Sequence, residues 1–234
     1  MGYAWTPYKD VELRPDSGLD AVITLILKHR GRAFNASHRL FIAGCGDGKE
    51  AFYLHQHLKC SVLGIDYGLQ ENVVSGGVSI ERGDLMYYPL DERSFDFAFS
   101  HHVIEHVENP MLLLRRLQGV LKDGGALLIG FPNKSRVIGY LGSGQATSWQ
   151  KVKWNLNDWM DRLNFRFENR LGAHAGFRGK EFTAMCDGLF SEVIPVTNEY
   201  MLLKYGRGSW VVRFLIWSGL ASVAFPSCYF VLRK

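Results

Sequence analysis

The chain has 234 residues, 47% of them hydrophobic and 21% charged, with a formal net charge of +4. That length accommodates one full α/β core with an elaboration and is short for two independent domains. The composition excludes a disordered or fibrous chain, and the net charge is mild. The positive excess is local: residues 134–180 carry Lys134, Arg136, Lys151, Lys153, Arg162, Arg166, Arg170, Arg178 and Lys180 against Asp158, Asp161 and Glu168. Cys45, Cys60, Cys186 and Cys228 lie far apart, form no CxxC pair and sit in apolar stretches, as expected of a reduced, cytoplasmic protein. The start Met1-Gly2-Tyr3-Ala4-Trp5-Thr6-Pro7 lacks the basic residues and apolar run of a signal peptide. The apolar run Phe214 to Phe225 is too short to span a bilayer.

After an extended lead-in, Asp16, Ser17 and Asp20 cap a helix with one apolar face through Leu19, Val22, Leu25 and Ile26. A buried strand over 39–43 runs into Gly44-Cys45-Gly46-Asp47-Gly48, and a helix over 49–58 follows. Glycines at such a turn permit positive φ and let a ligand lie against the main chain beside a helix N-terminus. Taken alone, this turn fits a dinucleotide site or a plain tight turn equally well. The second strand, over 61–65, ends in Asp66, about twenty residues past the glycines, where a carboxylate accepts hydrogen bonds from a ribose diol. Tyr67 follows, placed to stack on a nucleobase. A third strand over 78–80 delivers Asp84-Leu85, read either as an adenine contact or as a turn aspartate. A fourth strand over 97–100 leads into His101-His102-Val103-Ile104-Glu105-His106, then a helix from Met111 to Leu121. Gly124-Gly125 is expected to cap that helix before a fifth strand over 126–131. The alternation implies a mostly parallel sheet covered on both faces.

The succession GCGDG, GIDYG, ERGDLMYYPLDERSFDFAFS, HHVIEHVENP and LKDGGALLIGFPN resembles the class I S-adenosylmethionine-dependent methyltransferases, within the broad methyltransferase-11/ubiquinone-O-methyltransferase-like group. The resemblance covers Arg39 to Asn133. It implies a Rossmann-like, doubly wound, seven-stranded, mostly parallel sheet with an antiparallel last strand, binding S-adenosyl-L-methionine and releasing S-adenosyl-L-homocysteine. It further implies that Gly44, Gly46 and Gly48, with Cys45 between them, cradle the methionine portion. Asp66 would then hold the ribose, Asp84 and Leu85 frame the adenine, and Ser100 with His101 border the sulfonium end. Ile42 departs from the pattern, since the family often has an acid there.

Residues 134–179 leave the core pattern and read as a helical substrate cap, with a helix over 156–165 and with Tyr140, Trp149, Trp154, Trp159, Phe165 and Phe167 among the basic residues. Such interleaving suits a phosphate- or carboxylate-bearing small molecule, a nucleic acid or an anionic membrane, and it equally suits aromatics packed on the sheet. His174 precedes the helix over 180–189, where the resembling group often has a histidine followed by an aromatic residue facing the active site; the resemblance thus implies His174 as the first candidate for general base, with His101 and His102 as alternatives. A metal reading of His102 and His106 finds no third ligand cluster. Strands are expected over 191–196 and 228–232, and a helix over 210–225 offers a membrane contact or a homodimer face.

One domain is thus expected, divided into a lead-in (1–38), a cofactor core (39–133), a cap (134–179) and a C-terminal sheet edge (180–234). The expected reaction is methyl transfer to a hydroxyl of a small acidic acceptor, with an N-methyltransferase, a nucleic-acid methyltransferase or a non-catalytic cofactor-binding module as alternatives. A nicotinamide enzyme is disfavoured because the turn lacks G-x-G-x-x-G spacing.

Overall fold

Near-continuous apolar strands need cover on both faces, and the chain supplies it with two layers of helices. A computed structural model describes residues 15–30, 34–140, 147–169, 175–206 and 209–234. In chain order these form α1 (Ser17–Arg30), β1 (Arg39–Ala43), α2 (Lys49–Leu58), β2 (Ser61–Asp66), β3 (Val73–Ser75), β4 (Val78–Arg82) and β5 (Phe95–His101). Then follow α3 (Pro110–Val120), β6 (Leu121–Pro132), α4 (Ser148–Leu163), α5 (Gly179–Cys186), β7 (Glu192–Pro195), α6 (Thr197–Tyr205), α7 (Trp210–Trp217), α8 (Ala221–Ala224) and β8 (Ser227–Arg233).

The strands make one sheet in the order β3-β4-β2-β1-β5-β6-β8-β7. β4, β2, β1, β5 and β6 pair in parallel, while β8 runs antiparallel to both of its neighbours. All seven strands read from the sequence are present. Because side chains alternate across a strand, Ile42, Phe99 and Leu128 face one layer with Leu25, Ile26 and Leu54 of α1 and α2 and Tyr200 of α6. Phe41, Ala98 and Leu127 face the other layer, with Leu113, Leu114 and Leu117 of α3 and Phe182 of α5. The helix starts are chemically specified. Asp16 Oδ1 accepts the amides of Gly18 and Leu19 at 2.9 and 3.2 Å, and Asn109 accepts that of Leu112 ahead of Pro110.

Four local features differ from the sequence expectation. An eighth strand, β3, pairs antiparallel with β4 through Gly76-Gly77, both at positive φ; a Gly-Gly pair between β-branched residues is a hairpin signal. Leu121 is already extended, so Gly124-Gly125 does not cap α3 but lies in an irregularity of β6, where the step from Phe95 to Phe97 faces that from Leu121 to Ala126. The expected helix over 210–225 breaks into α7 and α8 at Ser218-Gly219, with Gly219 at φ +75. Finally, α4 begins eight residues before the expected start at Leu156, because Thr147 and Gln150 form a reciprocal capping box.

Candidate active site

The strand register lines up the carboxyl ends of four strands. Ala43 pairs with Ile65 on one side and Ser100 on the other, and Asp66 pairs with Arg82. Just past Ala43 the chain turns at Gly44, φ +77, where an added Cβ would come within 2.1 Å of Val103 Cγ2. Only glycine fits there. Cys45 is buried, and burial, followed by the charge of Asp66, pushes its thiol pKa far up. It therefore contributes backbone and packing rather than reactivity. Gly46 donates its amide to Asp66 Oδ2 at 2.8 Å, and Gly68 donates to Oδ1 at 2.8 Å. Asp66 is thus fixed by two amides, with a lone pair on each oxygen left for a diol. Gly48 starts α2 without a side-chain cap of its own and Asp47 Oδ1 takes the Lys49 amide at 3.0 Å, so the amides that follow in the first turn point toward the same edge.

Tyr67 stands beside Asp66 with 70% of its surface exposed. Past β4, Asp84 folds its own turn, accepting the amide of Met86 at Oδ1, while Leu85 is buried. Ser100 is fully buried, and its Oγ has no hydrogen-bond partner among the described residues. A pre-oriented diol acceptor, a helix N-terminus beside the glycine turn, an apolar residue after β4 and an orphaned hydroxyl fit an adenosyl cofactor with a charged amino-acid end. Ile42, at the position of the family acid, is sealed in the core. Glu50, in the first turn of α2, is the carboxylate that reaches this edge, with Oε1 3.8 Å from His101 Nδ1.

His101 is also where a second space begins. A cavity of about 430 Å³ extends from it to α6 and the start of β8, lined by His101, His102, His106, Arg136, Lys204 and four tyrosines, Tyr140, Tyr200, Tyr205 and Tyr229. His101 Nε2 and the Tyr229 hydroxyl share a hydrogen bond of 3.0 Å. Tyr229 stacks on Tyr200 with ring centroids 3.7 Å apart. Burial, then Tyr200, holds the Tyr229 pKa well above that of a free phenol. His102 adopts φ +56 and places Nδ1 3.0 Å from Glu105 Oε1, with Nε2 3.3 Å from Ser227 Oγ. The Glu105 side chain is fully buried, and its Oε2 has no partner among the described residues. The His102 side chain lines the recess with 40% of its surface open to solvent. Desolvation there, then the neighbouring His101, lowers its pKa against the opposing pull of Glu105.

The two cations of the cavity differ. Arg136 is buried and committed, bonded to Asp158 at 2.9 Å and to the carbonyls of Asn133 and Ala175. Lys204 leans over the rings of Tyr200 and Tyr205 and has no carboxylate in ion-pair contact among the described residues. Of the three histidines proposed as bases, His101 and His102 converge on the cavity, and His174 lies outside the described residues. His106 also lines it. No group of three or more His, Cys, Asp or Glu among the described residues is arranged to hold a metal. A larger, more open cleft of about 650 Å³ between α5 and β7 contains none of the glycine-turn residues.

Tyr200, Lys204, Tyr229 and Glu50 were not singled out by the sequence. The first three come from α6 and β8, and topology alone brings these to the end of β5, with β8 next to β6 in the sheet. Glu50 carried a local signal, since an acid in the first turn after a glycine start faces whatever that turn binds.

Residues 42–129 match the methyltransferase domain family. A tRNA U34 carboxymethyltransferase of Methylococcus capsulatus is 32% identical over 149 residues, covering 56% of this chain and 45% of that protein. Phosphoethanolamine N-methyltransferase 3 of Arabidopsis thaliana is 31% identical over 96 residues, covering 37% of this chain and 19% of that protein. The chain therefore spans less than half the length of these relatives. Among solved structures, phosphoethanolamine N-methyltransferase 2 of Haemonchus contortus, in complex with phosphomonomethylethanolamine and S-adenosylhomocysteine, has the same fold: TM-score 0.56, 18% identity, 91% of this chain and 52% of that one. Strand order and glycine turn, with the methyltransferase domain match over 42–129, are those of the class I S-adenosylmethionine-dependent methyltransferase fold.

Proposed function

We infer that the chain transfers the methyl group of S-adenosylmethionine to a hydroxyl of a small acceptor bearing a phosphate or carboxylate. The observation that carries this reading is Lys204, a cation with no carboxylate in ion-pair contact among the described residues, in a cavity that shares His101 with the cofactor edge. The bound cofactor supplies an electrophilic methyl group on a sulfonium. The glycine turn, Asp66, Tyr67, Asp84, Leu85 and Ser100 hold it, and Glu50 faces the charged end that Ile42 does not serve. Lys204 anchors the acceptor's anion, and the stacked Tyr200 and Tyr229 form a rigid wall, so that most of the acceleration comes from alignment in a partly desolvated space.

His102 takes the acceptor proton. With Nδ1 directed to Glu105, its N–H lies on that side and Nε2 accepts from the Ser227 hydroxyl, which the acceptor's own hydroxyl replaces on binding. The lowered pKa keeps that nitrogen unprotonated at neutral pH, and Glu105 stabilises the imidazolium as it forms.

A second reading, methylation of an amine, is favoured by the naming of relatives as N-methyltransferases. One experiment separates the two. Pools of hydroxy-phosphates, hydroxy-carboxylates, neutral alcohols and amines are incubated with labelled S-adenosylmethionine and wild type, His102→Ala or His174→Ala. Label is expected in an anionic hydroxyl pool, with kcat reduced about a hundredfold or more in His102→Ala. Labelling confined to amines, unaffected by either histidine, would overturn the hydroxyl reading. Loss of activity in His174→Ala alone would move the base to that residue.

A further inference from the structure

Helix α4 is amphipathic in the inverted sense. Trp149, Val152, Leu156, Trp159, Met160 and Leu163 recur every three or four residues along one face, and all are exposed. The face turned toward the body is polar. Asn155 bonds the amide and carbonyl of Gly139, Asp158 bonds Arg136 and Tyr140, and Arg162 donates to the carbonyls of Lys134 and Arg136. A helix packed on a domain ordinarily does the reverse. Polar bonds therefore fix α4 in an orientation that presents its apolar stripe outward.

The stripe does not stand alone. Helix α7 exposes Trp210, Phe214 and Trp217, while Val212 on its opposite side packs into the core. Between the two helices, segment 133–140 is tied to α4 by the bonds above and to α8 by Val137 N to Val223 O and by Asn133 Nδ2 to Ser222 O. Its Val137 and Ile138 are exposed as well. In sequence the charge over 134–180 is one-sided, with nine basic residues against three acidic ones. One of those acids, Asp158, is buried and neutralised by Arg136. Lys153, Arg166 and Arg213 are exposed among the aromatics.

We propose that α4, segment 137–138 and α7 form a docking surface for an anionic lipid bilayer, into which the tryptophans and leucines insert while the lysines and arginines meet the headgroups. Tryptophan at helix ends with interleaved basic residues is the chemistry of an interfacial helix. A second copy of the chain would set this positive surface against its own like. The proposal does not depend on the identity of the methyl acceptor. Segment 133–140 also contributes Arg136 and Tyr140 to the cavity, so docking takes place next to the acceptor site.

The test is co-sedimentation with phosphatidylcholine vesicles, with and without phosphatidylglycerol, together with tryptophan fluorescence on vesicle addition. Wild type is expected to bind the phosphatidylglycerol vesicles with a blue shift, to bind neutral vesicles weakly and to dissociate as salt rises. Leu156→Glu/Leu163→Glu is expected to lose about tenfold or more in vesicle affinity, while retaining wild-type thermal stability and S-adenosylhomocysteine binding by calorimetry. Lys153→Glu/Arg166→Glu, which leaves the apolar stripe intact, is expected to lose the preference for phosphatidylglycerol. Wild type that ignores both kinds of vesicle overturns the proposal. So does a wild-type dimer in light scattering that Leu156→Glu/Leu163→Glu converts to monomer, since that would assign the stripe to a second copy.

Discussion

His102 and Glu105 are three residues apart and mechanically joined, which makes their roles separable by pH. Glu105 raises the His102 pKa against the stronger lowering by burial. Because the folded pKa lies below the ordinary histidine value of 6.5, the unprotonated base survives to a lower pH than a free imidazole would. The acid limb of kcat against pH is therefore expected below 6.5. Glu105→Gln removes the upward pull, so the limb moves further toward acid, while the plateau drops because the imidazolium loses its counter-charge. Rates measured across pH on wild type and Glu105→Gln check both shifts; a limb moving toward alkali would refute this assignment.

At the scale of elements, a buried ion pair is the central tie among the polar bonds that hold α4. Asp158 receives Arg136 Nη2 and the Tyr140 hydroxyl, each at 2.9 Å. Removing it takes the carboxylate away from a buried guanidinium, a loss on the order of 3–5 kcal/mol. Asp158→Ala is expected to release α4 without unfolding the sheet. Hydrogen exchange checks this: amides of 148–163 should lose protection while those of β1, β5 and β6 keep it. How far these elements were legible in sequence follows from how local their causes are. The glycine turn, Asp66 and Asp84 sit at strand ends whose apolar runs announce them. Tyr229 meets His101 across 128 residues, through the insertion of β8 between β6 and β7, and no short-range pattern encodes that meeting. For α4 the sequence shows an alternation of aromatic and basic residues but not which face points inward. That choice belongs to Asn155, Asp158 and Arg162, polar residues whose partners lie outside the helix. Gly76-Gly77 did carry its hairpin in plain view.

For the molecule as a whole, two histidines tie stability to pH. His29, in α1, is buried, its Nε2 has no hydrogen-bond partner among the described residues, and burial, then Lys28, lowers its pKa. His102 is depressed as well. A histidine with a folded pKa below its unfolded value takes up a proton on unfolding, so stability rises with pH between the two values and is lost as pH falls below 6.5. Melting temperature is expected to be nearly flat above neutrality and to decline from pH 6.5 downward, before the carboxylates titrate. Asp96 contributes only at lower pH: burial pushes its pKa up, but Lys122 and the Arg39 amide hold it below the usual value. His29→Leu should make the first decline shallower; an unchanged slope would exclude His29 as its source.

The inverted polarity of α4 has a calorimetric consequence. Heat capacity rises on unfolding in proportion to the apolar surface newly exposed to water. A helix whose apolar stripe is already in water and whose contacts inward are hydrogen bonds and an ion pair exposes little more when it detaches. Its release would be nearly invisible in heat capacity and only weakly promoted by urea, unlike the melting of the sheet beneath it. Two transitions with similar enthalpy per residue but very different curvature with temperature would then separate the release of α4 from the melting of the sheet.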